Sequence, residues 1–410
     1  MGNRKVIVVG AGAAGMLAAC KSAERGNDTL LLEKNAIAGR KLLITGKGRC
    51  NITNNADMDG LIENIPGNGN FLYSAFYTFS NTDLMDLLEE KGLKLKVERG
   101  GRVFPESDRA ADVVRTLKRY MEQCGVKVLY NSALEDILIE EGKIRGVLLR
   151  DGQRLDCDSL VLATGGVSYP GTGSTGDGHR LARKLGHTVV ELKPSLVPLV
   201  TAENWVRELQ GLSLKNIAIT IKNHNGKKIY EDSGEMLFTH FGVSGPVILS
   251  ASRHILDYGY KDVRLVIDLK PALDEEKLDA RIQRDFEKFS RKQFKNALDE
   301  LLPQKMIPVM IDLVQIHPDK PVNQITREER RKLCHILKNL ETDIIGSRPI
   351  DEAIVTAGGV STDEINPSTM ESKLVKGLFF AGEMIDVDGY TGGFNLTIAF
   401  STGVLAGMHA

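Results

Sequence analysis

The chain opens on Val6-Ile7-Val8-Val9, a short β-branched run with no polar residue to give it a solvated face. Such a run suits a strand buried on both sides in a parallel sheet. It enters Gly10-Ala11-Gly12-Ala13-Ala14-Gly15, and small residues continue to about Arg25, predicting a helix that Gly26 stops in a left-handed conformation. Residues 29–32 are a second apolar run, ending at the acid Glu33. Further on, residues 108–124 show helical spacing with Gly125 as the stop, and 126–129 read as a strand. Residues 137–139, 144–150 and 154–155 form a meander with turns at Glu141-Gly142 and Asp151-Gly152. Residues 159–163 give another buried strand, running into Thr164-Gly165-Gly166. Near the end, residues 377–380 predict a strand closed by Ala381-Gly382-Glu383, and an apolar helix runs to about Leu405.

The middle of the chain has a different texture. Residues 189–200 and 217–222 are strand-like, Asn225-Gly226 is a hairpin turn into 228–231, and 236–241 and 263–268 extend the β-rich part. After Pro271, residues 274–302, 304–316 and 326–340 combine helical spacing with high charge. The domain reading is therefore 1–190 with 350–410 as one α/β domain, 191–271 as a β-rich insert, and 272–349 as a helical part of that insert.

Composition narrows the class without changing the fold. Lys plus Arg is 53 against 54 for Asp plus Glu, so no charge excess points to nucleic acid or an anionic membrane. No apolar stretch approaches ~20 residues, and the glycines at 10, 12 and 15 argue against reading the first strand and helix as a signal peptide. Five scattered cysteines with no CxxC pair and no metal-ligand spacing read as reduced thiols in a cytoplasmic protein. No metal is expected.

The chemistry lies in the glycines and the acid. Gly10 permits a tight strand-to-helix turn, Gly12 lets the backbone approach a pyrophosphate, and Gly15 allows helix to pack on strand. Ala13 and Ala14 offer amide donors at the helix N-terminus, and Glu33 stands where it can accept the ribose hydroxyls of an adenosine. Strand, glycines, helix, strand and acid in that order predict dinucleotide binding, FAD or NAD in preference to NADP. The next segment favours FAD. Lys34, Gly39-Arg40-Lys41 and Thr45-Gly46-Lys47-Gly48-Arg49-Cys50-Asn51 place cations and backbone donors near phosphates or a flavin ring. Leu134, Ala163, Thr164 and Gly165 are assigned to the cofactor as well, with Gly382, Glu383 and Asp386. Gly392 and Gly393, followed by Asn395 and Leu396, bring a helix N-terminus to a planar ligand, where its dipole suits the N1/C2=O edge of a flavin. Tyr390 and Tyr169 are candidate proton donors, and Cys50 lacks a nearby partner for disulfide chemistry.

These motifs resemble the BaiN-like flavoproteins. The matching stretches are Gly10 to Gly15, Gly39-Arg40-Lys41 with Thr45 to Asn51, and the run ATGGVSYPGTGSTGDG over 163–178. Thr239 to Pro246, Thr356 to Val360 and Ala381 to Leu396 continue the series. The resemblance implies a glutathione-reductase-like doubly wound FAD domain, interrupted by a β-barrel-like domain and a small helical subdomain. It also implies one noncovalent FAD and an oxidoreductase acting on a small-molecule substrate. The family includes reductases of bile-acid-type enones and aminoacetone oxidases. A single GxGxxG unit with its ribose acid leaves NAD(P)H as a transient electron donor. Three readings stay open: a reductase of an unsaturated apolar substrate, an oxidase of a small amine or aminoketone, and a flavin-binding regulatory protein. The sequence does not fix the oligomeric state.

Overall fold

The computed structural model describes residues 4–410, so the first three residues of the expected domain 1–190 lie outside the described residues. The chain divides into two units, one running up to Ser195 and resuming at Ile350, the other Leu196–Pro349.

The first unit is built on a five-stranded, all-parallel sheet in the spatial order Leu378–Phe380, Ser159–Leu162, Lys5–Val9, Asp28–Leu32, Lys127–Leu129. Val6 and Val8 are fully buried, as are Leu160, Val161 and Leu162, which is why the runs are apolar on both faces. The helix Ala13–Glu24 crosses between the first two strands, and Gly26, at φ 84, follows its end. The C-terminal helix Phe394–His409 lies directly on that first helix. A Cβ at Gly403 would fall 2.3 Å from the Ala14 carbonyl oxygen, and one at Gly407 would fall 2.2 Å from that of Ala18. Around this core stand the meander Leu134–Glu140, Lys143–Leu149, Arg154–Asp156, and a small sheet of Thr53–Asn54, Arg102–Pro105 and Leu95–Glu98.

The second unit holds a closed six-stranded barrel in the order Leu199–Thr201, Gly242–Ser244, Lys228–Phe238, Ser213–Asn223, Val263–Asp268, Leu340–Ser347. Ile219, Ile221, Phe238 and Ile267 are fully buried in it. The helices Glu275–Lys288, Ile307–Val314 and Arg327–Lys338 are inserted before its last strand.

Three expectations are redrawn. The run 189–200 breaks in two: Val189–Ser195 pairs with Val355–Val360 in the first unit, while Leu199–Thr201 joins the barrel. Leu196, at φ 54, sits in the left-handed region at the break. The separate run 228–231 and the start of 236–241 are one strand, Lys228–Phe238, which continues through Gly234. A Cβ there would be 2.8 Å from Val247, so the glycine admits the helix Pro246–His254 against the strand. The helix expected over 274–302 ends at Lys288, although Phe294, Leu298 and Leu301 continue the apolar spacing and are buried. No helix among the described residues is long and apolar enough to cross a membrane.

Candidate functional site

At the carboxyl edge of the parallel sheet, Gly10, Ala163 and Ala381 open onto a cleft of about 380 Å³ whose lining residues all belong to the first unit. That edge is where doubly wound sheets bind ligands.

The glycine-rich turn forms one wall. Gly10 holds φ +102, and a Cβ on it would be 2.5 Å from the Ala163 carbonyl oxygen. A Cβ on Gly15 would be 1.9 Å from the Gly10 carbonyl oxygen, so neither position admits a side chain. Gly12 differs. Nothing lies within 4 Å of its added Cβ, and it caps the helix Ala13–Glu24 with no side-chain hydrogen bond. Uncapped amide donors therefore face open space, the arrangement a phosphate fills. Glu33, 8% exposed, ties the turn to the second strand. Its Oε2 accepts from the Ala11 N–H at 2.8 Å, and its Oε1 accepts from the Asn35 N–H at 2.8 Å and side chain at 2.7 Å.

The opposite wall starts at Gly393. It holds φ +108, and a Cβ there would be 2.2 Å from the Thr53 carbonyl oxygen. The helix Phe394–His409 that it begins also has no side-chain cap. Asn395 fixes the approach by donating to the Gly389 carbonyl at 2.7 Å and accepting the Gly389 N–H at 2.9 Å. Asn54 donates to the Gly392 carbonyl at 3.0 Å.

Between the walls lie two ion pairs. Lys41 Nζ donates to Glu383 Oε2 at 2.7 Å and to Ser168 Oγ at 2.8 Å. Glu383 Oε1 accepts the Thr356 N–H at 2.8 Å and the Ser168 hydroxyl at 3.1 Å. Burial pushes the Glu383 carboxyl up, but the Lys41 charge and these hydrogen bonds outweigh it and hold it below the usual carboxylate range. Lys34 pairs with Asp177 at 2.7 Å, and Asp177 too is lowered on balance, burial opposing the Lys34 and Thr175 hydrogen bonds.

Most residues assigned from the sequence meet here. Gly10, Gly12, Ala13, Ala14, Glu33, Lys34, Arg40, Lys41, Thr45, Gly46, Asn51, Leu134, Ala163, Thr164 and Gly165 line the cleft, as do Gly382, Glu383, Tyr390, Gly392, Gly393, Asn395 and Leu396. Gly15 and Gly39 stand behind it as packing residues, Gly39 against Val114. Gly48 is exposed and outside the lining. Arg49 is also outside: it pairs with Glu98 at 2.8 Å and Asp108 at 3.2 Å, and stacks over Phe104 at 4.0 Å. Cys50 is fully buried, its thiol pushed up to about 12 by desolvation, and it does not line the cleft. Asp386 is outside the lining, and Asn68 donates to its carbonyl at 2.7 Å and to its Oδ2 at 3.1 Å. Tyr169, at φ 52 and partly exposed, is outside the lining but lies in the same loop as Thr172 and Gly173, which belong to it, whereas Tyr390 lines the cleft itself; both stay candidate proton donors. Sequence reasoning missed Asn35, Asp177, Ile354, Val355 and Val387 as lining residues. Asp177 fell within the 163–178 motif, whereas Ile354 and Val355 carry no local signal.

The residues fit FAD. The open space before Gly12, Glu33 on the ribose side, and a second uncapped helix at Gly393 match the parts of one extended dinucleotide. Asn51 lines the cleft beside Thr45 and Gly46. Gly12 to Ala14 would hold the pyrophosphate, Glu33 the ribose, and the loops at 45–51 and 392–396 the ring.

Fold and cleft together define an FAD-dependent oxidoreductase of the Rossmann type. Comparison with known proteins places it more closely: the chain belongs to the HI0933-like family, whose model, described as an HI0933-like protein Rossmann domain, matches residues 4–409. It is 31% identical over 411 residues to 3-dehydro-bile acid delta(4,6)-reductase of Clostridium scindens, across 99% of this chain and 98% of that one. It is 32% identical over 407 residues to a ribosomal RNA dihydrouridine synthase of Haemophilus influenzae, across 97% of this chain and 96% of that one. The BaiN-like resemblance of the motifs is thereby borne out. Among solved structures, 3-ketosteroid delta1-dehydrogenase from Sterolibacterium denitrificans is similar at TM-score 0.52 and 14% identity, over 100% of this chain and 99% of that one. That likeness is one of fold.

Proposed function

We propose that this enzyme reduces a carbon–carbon double bond conjugated to a carbonyl, on a small apolar enone of steroid type, with NAD(P)H as a transient electron donor. The observation that carries this reading is the apolar side of the cleft: Ile354, 40% exposed, lines it together with Val355, Val387 and Tyr390. An exposed isoleucine there favours an apolar substrate held by area rather than by charge. The full-length relative from Clostridium scindens supports the same substrate class. Bound FAD supplies the hydride chemistry at its N5. The chain's own contribution is to orient the substrate and to deliver a proton to its α-carbon, a role that falls to Tyr390.

A second reading shares the chemistry with a different substrate. The uracil C5=C6 bond is also conjugated to a carbonyl, and the Haemophilus influenzae relative is named for making dihydrouridine in ribosomal RNA. Anaerobic rapid mixing of the yellow protein with NADH or NADPH tests both. Fast bleaching is expected, and recovery of colour should follow addition of a Δ4-3-ketosteroid but not of unmodified ribosomal RNA. Recovery with RNA alone moves the assignment to the second reading. A flavin that neither nucleotide bleaches, with peroxide formed from an amine in air, would sink the reductase. Tyr390→Phe should slow the recovery step and leave bleaching unchanged.

A further inference from the structure

We infer that the turn Arg99-Gly100-Gly101-Arg102, beside the cleft, holds the phosphates of the nicotinamide dinucleotide that reduces the flavin, with Arg99 as the residue that binds them. The inference rests on the NAD(P)H-driven reading and adds to it the place where the donor docks.

The turn joins the strands Leu95–Glu98 and Arg102–Pro105. Gly100 and Gly101 both lie in the left-handed region, at φ 78 and φ 71. A Cβ on Gly101 would be 2.5 Å from Asn54 Oδ1, so the turn sits tightly on that side chain. Asn54, itself buried, staples it in place. Its Nδ2 donates at 3.0 Å to the Gly100 carbonyl and at 3.0 Å to the carbonyl of Gly392, a residue of the cleft's lining. The Asn55 N–H donates to the Gly101 carbonyl at 2.7 Å. Arg99 is therefore displayed from a fixed backbone next to the cleft's wall.

The charges around the turn do not balance. Two carboxylates, Glu98 and Asp108, are shared among three cations. Arg49 reaches them at 2.8 Å and 3.2 Å, Lys96 reaches Asp108 at 2.6 Å, and Arg102 reaches Glu98 at 3.7 Å. Arg99 is the fourth cation and is exposed. Its carbonyl accepts from Arg102 Nε at 3.1 Å, while its guanidinium has no ion pair or hydrogen bond among the described residues. A pyrophosphate supplies what this turn lacks, two negative charges whose oxygens suit the guanidinium fork. An apolar enone carries no such charge, so the turn serves the donor and not the substrate. The donor also has no nucleotide fold of its own: the glycine-rich turn at Gly10 belongs to FAD, and the second unit contains an antiparallel barrel and helices. Contacts beside the cleft must hold it.

Anaerobic rapid mixing over a concentration series of NADPH or NADH separates donor binding, read as half-saturation, from hydride transfer, read as the limiting rate of bleaching. Arg99→Ala should raise half-saturation for both donors about fivefold, the upper end for an exposed ion pair. Arg99→Glu should raise it further and Arg99→Lys should restore most of it, with limiting rate and FAD content unchanged. Added salt should weaken donor binding to the unaltered protein more than to Arg99→Ala. Dithionite, which carries no nucleotide, should bleach every variant alike. If dithionite bleaches the unaltered protein and neither nucleotide does, the NAD(P)H reading fails and takes the inference with it. Bleaching by a nucleotide at the same half-saturation in Arg99→Glu overturns the inference alone. So does a defect confined to recovery with ribosomal RNA, which would make the turn an RNA contact.

Discussion

Glu33 already spends its carboxylate on the protein, accepting from Ala11 and Asn35 before any ribose arrives. It therefore shapes the turn as well as the ligand site. Glu33→Ala should weaken FAD binding by about 10- to 100-fold, the range for losing a charged hydrogen bond. Fluorescence titration of apoprotein with FAD measures it, and full affinity in that variant would leave Glu33 with a packing role only. His179 carries a pH dependence. It is 1% exposed, its Nε2 lies 3.2 Å from the Met384 carbonyl, and burial pushes its imidazole below the ordinary value. A depressed folded value means that the unfolded chain binds the proton more readily, so stability is lost as pH falls. Melting temperature should be flat above the usual histidine range, about 6.5, and drop below it, with His187, shifted the same way, adding to the slope. A melting temperature equal at about pH 7.5 and about pH 5.5 contradicts this.

The two helices that meet over the sheet reverse an ordinary propensity. Glycine inside a helix is usually worse than alanine by about 1 kcal/mol. At Gly403 and Gly407, a methyl would collide with the carbonyls of Ala14 and Ala18. Gly403→Ala and Gly407→Ala should therefore destabilise by about 1–3 kcal/mol, as over-packed cores do, with FAD retention falling because the Ala14 helix carries the phosphate turn. Urea unfolding of each variant checks the sign. Much of this layer was legible in the sequence. The first strand, turn, helix and Glu33 are contiguous, so each local signal agrees with its neighbours. Arg49 was not legible in the same way. Its charge pointed to the ring, while its partners Glu98 and Asp108 stand 49 and 59 residues further along, where no local pattern pairs them. The gap left between residues 231 and 236 has a different origin: Gly234 carries no side chain to extend a strand pattern, and the helix packed on it begins only at Pro246.

At the scale of the whole chain, the cleft's lining is confined to the first unit, although 154 residues of the second interrupt it between Ser195 and Ile350. The ends of that interruption are neighbours: Ser195 pairs directly with Val355 in an antiparallel ladder. Residues 196–349 should then be replaceable by a short glycine-serine linker with FAD bound within about tenfold of the full chain, a difference of about 1.4 kcal/mol. A colourless, unfolded product would mean that the inserted unit is needed for the first to fold. The parallel sheet itself could be read from five apolar runs, but its closing strand comes from residues 378–380, a partnership that sequence order hides.

The wall begun by Gly393 has a consequence in time. Glu33 leaves the ribosome about 360 residues before it, a delay of roughly 20–70 s at ordinary elongation speeds. During that interval the nascent chain has its phosphate turn but neither the strand Leu378–Phe380 nor the helix Phe394–His409 to oppose it. Cofactor capture therefore waits until the chain has been made through the helix Phe394–His409, which closes the site.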